Sequence, residues 1–376
     1  MKEESEDKAI VVKDDLQTKP TQEIKRTNKK VIIFDIVFIT VIFVGIFIYM
    51  MNTDGAENIG ELLRTADYKW VLAGIVCLIV MWLAEAVSLH IPVKRLYPTQ
   101  KFTNSIKITM IGQLFNNVTP FFTGGQIMQT YEMNQSGKRT SDSLSILTMK
   151  FLTQQISMIV FTILILLTQF NYFKELFKNY IAIGIIGIVM NIVLLAVLIA
   201  LGTNKNFVMK IAKPIIKGIA KIKIGKIRFI KDPEAKIEKF DESVMNYSEQ
   251  FKLMREHKAM VLSMFLAGVV QTAVYYAITY TVYKAFGNSG TNYLQIVTLQ
   301  TFLMLLITFI PTPGSGLGAE GGFLLIFGPI FREGTINLSI LVWRIYTFYL
   351  PILIGALFMA PVRRAITKRR EEAKKS

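Results

Sequence analysis

The sequence predicts an all-α polytopic helical membrane protein with six full spans and two oppositely oriented re-entrant helical hairpins, an arrangement compatible with an inverted repeat. Three observations predict it. The 376 residues are 52% hydrophobic with a mean hydropathy of +0.42, which places the chain in the polytopic class. Two breaker clusters, Asn116–Gln126 and Pro311–Glu320, interrupt apolar stretches whose flanks are too short to cross a bilayer. Charged residues then sort by connection, as the positive-inside rule requires.

Residues 1–30 mix both signs without apolar periodicity and read as a disordered cytoplasmic tail. The run 31–51 follows as a signal anchor that stays, since no small-residue cleavage site succeeds it. It opens a transmembrane domain expected over 31–365, with further spans at 70–91, 144–168, 180–202, 259–284 and 337–360. Lys25, Arg26, Lys29 and Lys30 precede the first span, and Lys94, Arg95, Lys101 and Lys107 follow the second. The loop between them is acidic, with Asp54, Glu57, Glu61 and Asp67. The connection 203–258 carries fourteen basic and seven acidic residues, and a basic tail closes the chain at 366–376. Both termini are therefore expected in the cytoplasm.

That orientation gives each breaker cluster a direction. The first, with flanks at about Ile106–Phe115 and Ile127–Met133, has both ends on the cytoplasmic side. The second, flanked by Leu294–Ile310 and Gly321–Ile330, has both ends outside. Irregular backbone at membrane depth survives only where protein or a water-filled cavity surrounds it. Two such loops from opposite faces suggest repeats meeting near the midplane of a transporter.

Within 205–258, Val208, Ile211, Ile215, Ile219 and Ile222 alternate with Lys210, Lys213, Lys217 and Lys221 at helical spacing. This reads as a basic amphipathic helix suited to anionic inner-leaflet lipid. Ile237, Phe240, Val244, Tyr247, Phe251 and Met254 continue a stripe after the helix start Asp232-Pro-Glu. A cytoplasmic helical hairpin packed on the body, with no ligand role, explains the same pattern. The net charge of +16 is accordingly assigned to the membrane surface and not to nucleic acid.

Composition removes several function classes. One cysteine, Cys77, supports neither a disulfide framework nor a thiolate site. Two histidines, His90 and His257, lie on different segments, and no zincin, nucleophile-elbow or Walker motif appears. No cofactor, metal or enzymatic activity is expected, and homo-oligomerisation is left open.

Ionisable residues inside spans mark function by default. Arg344 lies about a third of the way into the last span and offers a planar fork for phosphate; a structural pair with Glu320 or Glu85 explains it equally. Lys150, with Gln154 and Gln155 one turn on, gives the third span a polar stripe, unless the lysine reaches back to the cytoplasmic surface. Glu320 opens the second half-helix of the outer hairpin, either complementing the helix dipole or balancing Arg344, a proton or a substrate amine. Gly124 and Gly125, and Gly314 and Gly316, precede half-helices whose amides suit an anion, unless these glycines only permit tight helix packing. Asn117, Thr119, Thr123, Gln126, Thr312 and Ser315 add polar groups, and Pro120, Pro311 and Pro313 are candidate hinges. Glu85 and His90 fall in the cytoplasmic half of their span, where they can face the loops.

The motifs Asn117–Gln126 (NVTPFFTGGQ) and Pro311–Glu320 (PTPGSGLGAE) resemble the flippase-like family of lysylphosphatidylglycerol synthase transmembrane domains, over roughly residues 30–365. Pro311, Pro313, Gly314 and Glu320 fall at the family's spacing. Ser315 splits the usual Gly-Gly pair, and Phe122 stands where the commoner family form has an arginine. The resemblance implies movement of lipids with large polar headgroups, such as aminoacylated phosphatidylglycerol, and a transport-only member without the aminoacyl-transferase domain. A transporter of soluble anions and a polyprenyl-phosphate-sugar glycosyltransferase using Asp54 or Glu57 are the alternatives.

Overall fold

The computed structural model describes residues 64, 66–119, 122–176, 181–221, 223–224, 227–228, 232–307, 316–332 and 334–359. In chain order they form α1 (Tyr68–Leu96), α2 (Phe102–Val118), α3 (Gly124–Gln135), α4 (Thr140–Thr168), α5 (Phe170–Leu176), α6 (Ile181–Thr203) and α7 (Lys205–Lys221). A two-residue antiparallel ladder, β1 (Lys223–Ile224) with β2 (Ile227–Arg228), precedes α8 (Pro233–Glu256), α9 (Lys258–Ala285), α10 (Tyr293–Ile307) and α11 (Gly316–Phe327). The last helix, α12, runs from Ile336 to Met359. The expected span 31–51, both tails, and the residues Asp35, Asp54, Glu57, Pro120, Ile222, Pro311, Thr312, Pro313, Gly314 and Ser315 lie outside the described residues.

This is an all-helical, multi-pass membrane protein. Among the described residues α1, α4, α9 and α12 are long and apolar enough to cross a bilayer, and α6, α10 and α11 contribute shorter apolar stretches. The faces are arranged as a lipid solvent demands. On α1, Leu72, Val76, Ile79, Leu83 and Val87 are exposed at three- and four-residue spacing, while Leu78, Met81, Glu85, Ser88 and Leu89 are buried. Polar atoms are drawn inward and aliphatic ones outward.

The central pair is α1 with α9, antiparallel along their full length. Asp67 caps α1 by accepting from Lys69 N at 2.9 Å, and its own amide donates to Ala285 O at 2.8 Å. At the other end Arg95 reaches the His257 ring at 3.2 Å. Between them Gly74 lies against Thr281 and Tyr346, where a Cβ would come within 2.9 Å of both; only glycine allows that approach.

The two helical hairpins start from opposite ends of this pair. The α2–α3 hairpin has both bases at the Leu96 and His257 end. Lys107 bonds Glu132 at 2.6 Å, and Tyr97 donates to Asp142 Oδ2 at 2.5 Å. Burial, and then the bond to Asp142, push the Tyr97 phenol above its ordinary pKa. Burial also pulls Lys138 down against the opposing pull of Glu132. The α10–α11 pair has its bases at the Asp67 and Ala285 end. There Arg332 N donates to Asn288 Oδ1 at 2.7 Å and Tyr283 meets Phe331 edge-on, 5.2 Å between ring centroids. Its core is aromatic, with Phe323, Phe327 and Trp343 packed together.

The α7–α8 hairpin corrects one expectation. The stripe assigned to a single face of α7 is divided between two. Val208, Met209 and Ile216 pack on Ile237, Phe240 and Val244 of α8, whereas Phe207, Ile211, Ile215 and Ile219 remain exposed. Ion pairs Lys205–Asp241 at 2.9 Å and Lys217–Glu234 at 3.0 Å fasten the two helices. A helix with apolar side chains on two flanks satisfies one with its neighbour and leaves the other for a different medium.

Candidate functional site

Two ion pairs are enclosed in the apolar bundle. Glu85 occupies the inward stripe of α1, so its carboxylate points into the bundle and not to the loops. Its Oε1 accepts from Lys150 Nζ of α4 at 2.6 Å, with the side chains 6% and 13% exposed. Its Oε2 accepts from Gln113 Nε2 of α2. The lysine therefore finds its partner inside the protein and does not reach back to the surface. A carboxylate in such surroundings needs this set of donors, because removing a charge from water is costly unless it is paired and hydrogen-bonded.

The second pair joins α11 to α12. Arg344 Nε donates to Glu320 Oε1 at 3.0 Å, with the side chains 6% and 14% exposed. Trp343 and Phe348 flank the guanidinium, 5.3 and 5.4 Å from the ring centroids, an arrangement that stabilises a desolvated cation. Glu320 sits one turn inside α11, so it is the arginine's counter-ion. Directly after Arg344 the helix widens into a π turn over Ile345–Tyr349, a backbone feature that recurs at functional sites.

From the first pair, polar side chains continue along α4 to a contact with α9. Gln154 lies one turn beyond Lys150 on α4, and its amide donates to Thr272 Oγ1 of α9 at 3.3 Å. Gly268 makes this contact possible, since a Cβ there would stand 2.5 Å from Ser157 Oγ and 2.9 Å from Gln154 Oε1. Tyr275 follows Thr272 by one turn along α9. A cleft lined by Met158, Thr162, Ile188, Asn191, Tyr276 and Met304 opens between α4, α6, α9 and α10.

At the tip of the α2–α3 hairpin the amides of Gly124 and Gly125, expected as open donors, are paired within the hairpin. Gly124 N donates to Thr119 Oγ1 at 2.8 Å and Gly125 N to Asn116 Oδ1 at 3.0 Å. Thr119 in turn donates to Phe115 O at 2.7 Å, and Asn117 to Gln113 O at 2.9 Å. The two glycines serve close packing: a Cβ on Gly125 would overlap the Asn116 side chain and lie 2.6 Å from Gly112 O. Thr123 and Gln126 are exposed, and Phe122 holds a left-handed backbone at φ 54°, a conformation unfavourable for a bulky residue.

Of the residues expected from sequence, the structure pairs Arg344 with Glu320 and Lys150 with Glu85, and bonds Gln154 to Thr272. It leaves Thr123 and Gln126 at the surface and sets Gly316 as the first residue of α11. Glu85, Gln113 and Thr272 join these contacts without having been singled out as binding residues. A signal for Gln113 exists in retrospect: Thr109, Gln113 and Asn117 share one face of an otherwise apolar half-helix. Among the described residues no cluster of three or more His, Cys, Asp or Glu side chains is placed to hold a metal.

Residues 32–355 match the family model described as the lysylphosphatidylglycerol synthase TM region. No individual curated protein matches the chain.

Proposed function

The chain belongs to the lysylphosphatidylglycerol synthase TM-region family, and we propose that it is a carrier, not an enzyme, that moves a lipid with a polar headgroup across the bacterial plasma membrane. The observation that carries this reading is the two buried ion pairs, Glu85–Lys150 and Arg344–Glu320, with the Gln154–Thr272 contact beyond the first, inside helices whose outer faces are aliphatic. Intramembrane charges of both signs, turned away from the lipid face, mark a path for a charged headgroup. On this reading the two hairpins are re-entrant, both termini are cytoplasmic, and acyl chains trail in the bilayer. Arg344 and Lys150 hold the phosphate in turn while Glu320 and Glu85 hold the cations in the empty carrier. Rocking of the halves about the hairpins alternates access.

Arg344→Gln tests it in vesicles reconstituted with the full chain and headgroup-labelled phosphatidylglycerol. The variant is expected to lower translocation at least about tenfold, the loss of one charge-assisted bond of roughly 1.5–3 kcal/mol, while eluting as a folded protein. Wild-type translocation by folded Arg344→Gln removes the reading.

The exposed face of α7 supports a second lipid contact. Phe207, Ile211, Ile215 and Ile219 stand bare beside Lys210, Lys213 and Lys217, a pattern that fits anionic headgroups of the inner leaflet at roughly 1 kcal/mol per lysine. A polarity-sensitive dye on Ile211→Cys, in a Cys77→Ser background, is expected to shift to the blue in nanodiscs containing phosphatidylglycerol. Equal emission in anionic and neutral discs excludes the contact.

A further inference from the structure

The reading that a lipid phosphate occupies Arg344 raises the fate of the acid it displaces, and the following inference rests on that reading. We propose that Glu320 takes up one proton when an anionic headgroup occupies Arg344, so that headgroup and proton enter the site together.

Among the described residues the geometry places no other cation beside the displaced carboxylate. Arg344 Nε gives its bond to Glu320 at 3.0 Å, and the faces of the guanidinium are taken by Trp343 and Phe348. From α12 the remaining ionisable neighbour is Tyr349, whose electrostatic partners include both Glu320 and Arg344. From α9 it is Tyr275, which interacts with Arg344. α10, packed against α11, carries Tyr293 at its start and no other ionisable side chain, and residues 308–315 contain none. α1 meets the π turn at Gly74 and Tyr346 and brings Cys77 to that level. All of these are neutral groups or potential anions; none replaces the guanidinium.

A phosphodiester remains anionic throughout the physiological range. Once it accepts the Arg344 donors, a charged Glu320 faces both an apolar wall and a second negative charge, and each disfavours the carboxylate. Protonation resolves the conflict with balanced bookkeeping: the carboxylate gains one proton from solution, the guanidinium exchanges one acceptor for another, and the site's net charge is unchanged. The proton is released when the headgroup leaves and the pair closes. A carrier built this way draws on a proton gradient without a nucleotide site.

The experiment is calorimetric titration of the detergent-solubilised full chain with short-chain phosphatidylglycerol, in two buffers of different ionisation enthalpy, between pH 6 and 8. The proposal expects uptake of close to one proton per lipid bound, and affinity that falls towards tenfold per pH unit as pH rises. Glu320→Gln, already neutral, is expected to bind with no proton uptake and no pH slope. Binding by wild type with equal heats in both buffers and a flat pH profile overturns the proton coupling alone. Uptake that persists in Glu320→Gln overturns the assignment to this residue. Absence of binding at every pH removes the headgroup reading, and the coupling falls with it. The wild-type arms stand even where the variant fails to fold.

Discussion

Glu85→Ala is expected to destabilise the protein by about 3–5 kcal/mol, because it strands the largely buried Lys150 ammonium without its counter-ion. The magnitude follows from burial, since neither partner is more than 13% exposed, so solvent screening offers little relief. The single substitution also deprives Gln113 Nε2 of its acceptor, a further loss of about 0.5–1.5 kcal/mol at a half-buried donor. The control that isolates the charge is the replacement of all three groups together: Glu85→Leu, Lys150→Met and Gln113→Leu. Buried ion pairs exchanged for packed apolar side chains are often neutral or stabilising, so the triple variant should recover most of the lost stability. Fluorescence-detected thermal unfolding in detergent measures each step. Equal losses in Glu85→Ala and the triple variant would mean that packing, not charge, governs the site. On the carrier reading the triple variant should nevertheless fail in translocation, because it removes the Lys150 charge proposed to hold the phosphate.

How much of this was legible in the chain depends on what each residue needed from its surroundings. Helix identities and the separation of α2 from α3 were legible because apolar run length and Pro-Gly punctuation are local properties. Arg344 was legible because no local context excuses a guanidinium in a span. Glu85 was not, because its position near the end of an apolar run fits a loop-facing acid equally well. It becomes interior only when α2 lies over α1 and presents Gln113. The amides of Gly124 and Gly125 show the opposite case. A glycine pair before a half-helix reads as a vacant anion cradle, but Thr119 and Asn116 fold back to fill it, and sequence does not say which hydroxyl or amide will do so. The stripe on α7 was read as one face because spacing gives the period and not the neighbour; α8 takes Val208 and Ile216 and leaves Ile211 and Ile215 bare.

Gly125→Val is expected to open the α2–α3 hairpin, with a loss of about 2–4 kcal/mol. The first contribution is steric. Its Cβ would overlap the Asn116 side chain and stand 2.6 Å from Gly112 O; a backbone carbonyl cannot yield unless the two helices separate, and overpacking of this kind costs about 1–3 kcal/mol. The second is the cap. Moving Asn116 aside breaks its bond from Gly125 N, a loss of about 1 kcal/mol. Gly218→Ala supplies the comparison, because Gly218 meets nothing within 4 Å and lies within the exposed stretch of α7. There alanine should add about 0.5–1 kcal/mol through helix propensity alone. Opposite signs at these two glycines, measured by thermal unfolding, would establish that the first hairpin is held by close backbone approach. Matching small shifts would mean that the approach is not maintained in the folded protein. The consequence reaches the site, because the same helix that carries Asn116 carries Gln113. Prising α3 from α2 should loosen the donor on Glu85, so Gly125→Val and Glu85→Ala are expected to be less than additive when combined.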